Sequence, residues 1–198
     1  MRWILVAAAL LAPSIARADA GKAELAAATA RVKALADAKS RPFPLAAPRV
    51  VVRKADRVLI LYDGEVELKR YPVALGRAPI GAKRAQGDFR TPEGDYFVTG
   101  HNAASAFHLF LGLSYPNAAD AKAALADGRL DAKSARAIED ADAAHRAPPW
   151  DGALGGAVGI HGGGTGEDWT FGCVALSNDD VDELWIALPD GAPVEIVP

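Results

Sequence analysis

The period of the hydrophobic positions changes along the chain, and the changes mark its parts. Residues 21–40, GKAELAAATARVKALADAKS, are rich in Ala, Lys and Leu, and Leu25, Ala28, Val32 and Leu35 recur at helical spacing. One amphipathic helix with a thin apolar stripe is predicted there. Arg41-Pro42-Phe43-Pro44 stops helix and strand alike, so residues 21–47 read as a helix and Pro-containing linker, a packing appendage or spacer. From residue 48 the period falls to two. Residues 49–53, 57–62 and 65–75 are β-branched or alternating, and Asp63-Gly64 between the last two signals a tight type I′ hairpin. Residues 76–94 form a long loop rich in Gly, Pro, Arg and Lys, and strands at 95–99 and 107–113 follow. Loops of that length are functional or disordered.

Residues 117–146 return to Ala-rich helical patterning, split at Asp127-Gly128 into two short helices and closed by Pro148-Pro149. They read as a helical insertion between strands. The apolar run 157–160 precedes His161 and three glycines, and residues 169–176 follow. Ser177 with Asp180 three positions on predicts a capped final helix, and residues 193–197 a closing strand. No internal repeat is present.

Composition narrows the function. The chain has 198 residues, 22 Lys+Arg against 25 Asp+Glu and a formal net charge of −3. That length suits one core domain with an appendage. With positive charges scattered among negatives, nothing supplies the counterion-release attraction that dominates nucleic-acid binding. Residues 1–20 carry Arg2, an apolar core at 3–11, and two small-x-small sites, Ala16-Arg17-Ala18 and Ala18-Asp19-Ala20. This pattern predicts a secretory signal cleaved after Ala18 or Ala20. Its apolar run is too short for the ~20 residues of a membrane span, so no stable insertion is expected after cleavage. Cys173, the one cysteine, is then expected outside the cytoplasm, where an unpaired thiol is buried and inert, paired with another chain, or kept for its reactivity.

Its surroundings carry the candidate chemistry. Cys173 lies twelve positions after His161, across a glycine loop able to fold back and bring the two together. Cysteine attacks as thiolate, and a nearby imidazole can take its proton or hold it as an ion pair, which lowers the thiol pKa below its ordinary ~8.5. Gly172 permits a tight turn, and N–H groups around Gly172 and Cys173 are candidate oxyanion donors. The residues alone leave a catalytic dyad beside two unrelated side chains. Other readings of the loop fail: no lysine follows Gly164 or Gly166 as a phosphate loop needs, and Glu167 stands where a dinucleotide fingerprint has its third glycine. No G-x-S-x-G elbow is present. His101, His108, His145 and His161 show no metal-ligand spacing, so no metal site is expected from them.

His161-Gly162 followed by Thr170-Phe171-Gly172-Cys173-Val174 resembles the signature of the L,D-transpeptidase catalytic domain (YkuD-type). Ala74-Leu75-Gly76, Gly81-Ala82-Lys83, Gly87-Asp88 and Arg90-Thr91-Pro92-Glu93-Gly94 are similar to the loop such domains carry after their first strands, and the matches cover residues 48–198. Ala175 stands where many members have Arg, and the stretches 107–117 and 173–178 look more like the YafK-like Gram-negative branch.

The resemblance implies a mainly β fold with peripheral helices, a mixed β-sandwich with the catalytic turn near one end of the sheet. It also implies a periplasmic enzyme acting on peptidoglycan stem peptides. Cys173 would attack the L-centre carbonyl of meso-diaminopimelate and expel D-alanine, leaving a thioester, while His161 serves as base and acid and the Gly162 carbonyl or a neighbour orients its ring. The reaction so implied requires neither metal nor organic cofactor. A cysteine hydrolase is the alternative, an L,D-carboxypeptidase or an amidase releasing a wall-attached lipoprotein, and a non-catalytic wall-binding module is a third. Thr170 is a substrate-binding candidate. Lys83 and Arg90 either meet a substrate carboxylate or are solvated. Tyr115 either flanks the acyl pocket or is buried at a strand end. Trp169 is cleft wall or core, and His108 reads as a packed, hydrogen-bonded residue rather than a second base. The helical insertion is expected to cap the cleft.

Overall fold

The computed structural model describes the backbone of residues 12–198 and the side chains of residues 21–198. The apolar core of the expected export signal, residues 3–11, lies outside the described residues. Helix α1 (Ala12–Ala38) begins earlier than the predicted 21–40 and ends in a turn where Ser40 has φ +54°. Ala28, Val32 and Ala36, one turn apart on one face, are fully buried. Arg31 fastens this helix to α4 (Asn178–Ala187) through Glu183 at 2.7 Å and the Asp179 carbonyl at 3.0 Å. No helix of the described residues is long and apolar enough to cross a membrane.

The strands are β1 (Pro48–Arg53), β2 (Val58–Asp63), β3 (Val66–Pro72), β4 (Gly94–Ser105), β5 (His108–Leu113), β6 (Gly159–His161), β7 (Val174–Ala175) and β8 (Pro193–Val197). They form a single mixed sheet in the order β3-β2-β1-β8-β4-β5-β6-β7. The pairings β1–β8 and β6–β7 are parallel and the rest antiparallel. The sheet curls on itself, and β4 is shared by its two halves. The curl arises in β4, which runs on to Ser105 rather than stopping at 99: Gly94 to Phe97 pair with β8, and after a register shift at Val98/Gly100 the strand pairs with β5. A bulge bends the strand that carries it. The two ends of the sheet then meet, for Ala74 and Ala175 exchange N–H···O bonds of 2.9 and 2.8 Å.

Alternation along β1 and β8 sends Val50, Val52, Val194 and Ile196 into the space inside the curl, where Leu59, Leu61, Tyr71, Leu111, Leu113, Ile160 and Leu176 meet them. The β2–β3 hairpin turns on Gly64-Glu65 rather than Asp63-Gly64, because Asp63 still pairs with Val66. Only Gly64 of the central pair has positive φ, +61°, which fits a type II′ turn. The insertion splits as its sequence predicts, into α2 (Ala118–Ala126) and α3 (Ala132–Ala143), capped by Asn117 and Asp131. This pair packs a small core of its own around Ala121, Ala124, Leu130, Ala135, Ile138 and Leu154. Ser177 caps α4, its Oγ accepting the Asp180 N–H at 3.2 Å.

The long loop between β3 and β4 lacks regular structure but is firmly held. The buried Lys54 ammonium donates to the carbonyls of Gly81 and Thr91 and to Glu93, at 2.7, 2.9 and 2.8 Å. Asp88 accepts the N–H groups of Arg84, Ala85 and Arg90 and the Lys83 ammonium. Burial pushes the Asp88 carboxyl up, but these donors outweigh it and leave its pKa below the ordinary range.

Candidate active site

His161 ends β6 with its ring buried among aromatics. The Phe107 ring stacks on it at 4.9 Å between centroids, Trp169 meets it edge-on at 5.4 Å, and Phe110 lies at 6.3 Å. The imidazole Nδ1 lies 2.6 Å from the Gly162 carbonyl oxygen. A carbonyl only accepts, so Nδ1 carries the proton and Nε2 is left as the basic nitrogen. Burial lowers the imidazole pKa, and the Gly162 carbonyl offsets part of that, so the ring is neutral at pH 7. Gly162 is required by close approach: a Cβ there would lie 2.5 Å from Asn178 Oδ1 and 3.0 Å from the His108 Cβ. The glycine loop is fastened rather than free, since Gly163 N–H donates to Asn178, Gly164 N–H to the Leu176 carbonyl, and Trp169 Nε1 to the Gly164 carbonyl.

The same loop delivers Cys173. Strands β6 and β7 run parallel with Ile160 opposite Val174 and His161 opposite Ala175, so Cys173, one step before β7, falls beside Gly159. Side chains two apart on a strand share a face, which puts Cys173 and His161 diagonally on one side of the sheet. The thiol bonds to the Ala157 carbonyl at 3.6 Å rather than to the imidazole. Burial pushes its pKa up to about 11, against smaller lowering effects from the Gly159 N–H and the Lys83 charge. This is the opposite direction from a preformed thiolate–imidazolium pair.

The turn before Cys173 is built by Thr170. Its buried hydroxyl donates to the Cys173 carbonyl at 2.8 Å and accepts the Gly172 N–H at 3.1 Å. Both polar functions of Thr170 are therefore spent inside the turn, so it positions the cysteine and is not free for substrate. The Gly172 N–H is likewise engaged and does not serve an oxyanion, which leaves the Cys173 N–H as the candidate donor. Gly172 has φ +136°, and a Cβ there would sit 2.7 Å from the Arg90 carbonyl oxygen.

The thiol opens on a cavity of about 230 Å³ lined by Lys83, Gln86, Phe89, Ala157, Phe171 and Cys173, among others. Phe89 and Phe171 stand at its mouth with ring centroids 5.4 Å apart, and the Arg77 guanidinium lies 5.0 Å from the Phe171 ring. Lys83 does line this cavity, but its ammonium is paired with Asp88 at 2.8 Å and the Ala85 carbonyl at 3.0 Å. Arg90 meets the site through its carbonyl, while its guanidinium lies against Gly81. Tyr115 is fully buried and donates to the Leu154 carbonyl, so it belongs to the core and does not flank the cavity.

Trp169 is a wall of the His161 box. The α2–α3 pair contributes no lining residue and so is not a cap over the thiol. It braces the long loop through the Arg84–Asp127 ion pair and the Arg129 bond to the Arg84 carbonyl. Phe107, Phe110, Asn178, Phe89 and Phe171 were not legible as site residues. Of these, Phe171 alone lies inside the Thr170–Cys173 motif, and in the structure it is 66% exposed.

The fold is shared with known proteins. The profile of the YkuD L,D-transpeptidase catalytic domain matches residues 47–196. Among solved structures the chain is similar to the helical cell shape determining protein Pgp2 from Campylobacter jejuni, at 21% identity over 76% of this chain and 47% of that one, with a TM-score of 0.52. It is also similar to Bd1075 of Bdellovibrio bacteriovorus, at 18% identity over 77% and 48% of the two chains, with a TM-score of 0.51. The chain thus spans about half the length of these solved relatives. No curated protein sequence matches it. With three quarters of its length matched by that profile and its curled mixed sheet shared with these structures, the chain belongs to the L,D-transpeptidase catalytic domain family.

Proposed function

We propose that this chain is a periplasmic L,D-transpeptidase that acts on peptidoglycan stem peptides through a Cys173 thioester. The supporting observation is the β6–β7 register, which puts the one thiol and a Nδ1-protonated imidazole on the same face beside an open cavity. Because both groups rest neutral, the His161 Nε2 takes the thiol proton as Sγ attacks the L-centre carbonyl of the donor stem. The tetrahedral intermediate collapses with loss of D-alanine, whose amine receives that proton. The same nitrogen then deprotonates the incoming amine, which breaks the C–S bond and forms the new amide. Export rests on the charged and apolar pattern of residues 1–20.

Water in place of the incoming amine makes the protein a carboxypeptidase through the same first half-reaction; where a lipoprotein amine rather than D-alanine is bonded to the L-centre carbonyl and is expelled as the thioester forms, the same steps make it an amidase that frees the lipoprotein. One experiment tests both halves. The purified protein is incubated with disaccharide-tetrapeptide and increasing amounts of a diaminopimelate-containing acceptor, and products are read by mass spectrometry. Cross-linked product that saturates with acceptor is expected, and Cys173→Ser abolishes it. Tripeptide formed at an acceptor-independent rate replaces transfer by hydrolysis, and turnover retained by Cys173→Ser removes the cysteine mechanism.

A further inference from the structure

Beside the β4–β5 turn that holds Phe107, three elements distant in sequence bring ligating groups together. Glu24 from α1, His108 from β5 and Asp182 from α4 place their ligand atoms within 4.8 Å of one another. Asp182 is only 2% exposed, with Oδ1 at 2.6 Å from His108 Nε2. Among the described residues, Asp182 Oδ2 and His108 Nδ1 have no hydrogen-bond partner, and neither Asp182 nor Glu24 pairs with a Lys or Arg. A cavity of about 850 Å³ opens on them. Among the described residues Glu24, Asp179 and Asp182 line it with His108, and no Lys or Arg side chain does.

A carboxylate this buried is costly without a compensating charge. Among the described side chains the one hydrogen-bond partner of Asp182 is the His108 imidazole. The cavity is therefore electronegative, and its donor set is one imidazole nitrogen and carboxylate oxygens.

We propose that Glu24, His108 and Asp182 bind a divalent cation of the zinc class, with water from the cavity completing its coordination. Imidazole with carboxylates suits zinc, whereas calcium and magnesium take oxygen ligands alone. Zinc bonds of about 2.0–2.2 Å set tetrahedral ligand atoms roughly 3.4 Å apart. The present spacing reaches that with side-chain rotations of about 1 Å, which open the short His108–Asp182 contact and draw Glu24 in. The cation clamps α1 and α4 to the start of β5. It also stiffens one wall of the His161 box, since Phe107, the neighbour of His108, stacks on that ring and accepts the Gly162 N–H at 3.0 Å. This site does not depend on the catalytic reading.

The test is calorimetric titration of untagged protein with zinc chloride at neutral pH, with Cys173→Ala as the parent so that no thiol competes. One equivalent is expected to bind and to raise Tm. His108→Gln and Asp182→Asn abolish binding, and Glu24→Gln weakens it by about tenfold or more. Glu24 is exposed, so its variant folds whatever becomes of the two more enclosed ones. Absence of a stoichiometric site in the parent overturns the proposal, as does a Glu24→Gln protein that binds as tightly as the parent.

Discussion

The resting protonation of the two central groups has a measurable consequence, because the structure keeps Cys173 a neutral thiol. A thiol with a pKa of about 11 is ionised to roughly one part in 10⁴ at pH 7, against roughly three parts in 10² for an ordinary cysteine. The more basic thiolate is the better nucleophile. With a Brønsted coefficient of about 0.4–0.5 it recovers roughly tenfold of that roughly 300-fold deficit in disulfide exchange. Reaction with a small aromatic disulfide at pH 7 should then run about 20–30-fold slower than for an unstructured cysteine peptide.

The rate should climb tenfold per pH unit through pH 10 without levelling. His161→Ala should leave that profile in place and abolish turnover, since in the proposed mechanism the imidazole moves protons during the reaction and does not ionise the resting thiol. For turnover itself the sign is set by His161. Burial holds its pKa below 6.5, so kcat/KM should rise with pH through an acid limb below that value and then stay flat across neutrality. An exchange rate that levels below pH 8.5 in the wild type, and loses that plateau in His161→Ala, would show a preformed ion pair and refute this reasoning.

The remaining predictions concern the turn. Gly172→Ala forces a φ of +136° on a residue with a Cβ and drives that atom to 2.7 Å from the Arg90 carbonyl; urea unfolding should show a loss of at least about 1–3 kcal/mol, with turnover reduced further by displacement of Cys173. Thr170→Val leaves the Gly172 N–H and the Cys173 carbonyl without their shared partner, about 1–3 kcal/mol for each group left unpaired, whereas Thr170→Ser restores both bonds and most of the turnover.

What the sequence revealed followed from short-range rules. The period-two runs, the Ser177 cap and the Asp127-Gly128 break are each decided within a few residues, and they fall where the pattern puts them. What it concealed is set across the chain. The bend in β4 depends on β8 and β5 competing for the same strand, and no local pattern marks it. Lys83 read as a loop cation although its partner Asp88 is only five positions on, because that pairing depends on the fold of the whole loop. The aromatic box of His161 draws on residues 107, 110 and 169, and the Glu24–His108–Asp182 cluster on two helices and a strand, so neither spacing could be read along one segment. His161 and Cys173 were legible for the converse reason, since one loop carries both.

That spacing has a topological cause. Parallel neighbours cannot be joined by a tight hairpin and need a crossover of about a dozen residues. Here residues 162–173 are the whole crossover between β6 and β7, and no helix fills it. Its compactness depends on Gly163 and Gly164, at φ +108° and +104°, and on the Asn178 and Trp169 bonds that pin the returning chain. On its other side the turn is braced by the chain leaving β3, where Thr170 N–H donates to the Leu75 carbonyl and Arg77 N–H to the Thr170 carbonyl. Asp168 adds a further clamp, accepting the Leu75 N–H at 2.8 Å while paired with Arg57. Cys173 thus lies at the seam where the curled sheet closes, held by β6 on one flank and the extension of β3 on the other. In the proposed mechanism a sulfur fixed from both sides has little freedom to seek its base, so proton transfer to His161 would depend on the substrate carbonyl drawing the sulfur forward. That is consistent with a thiol bonded at rest to Ala157 and not to the imidazole.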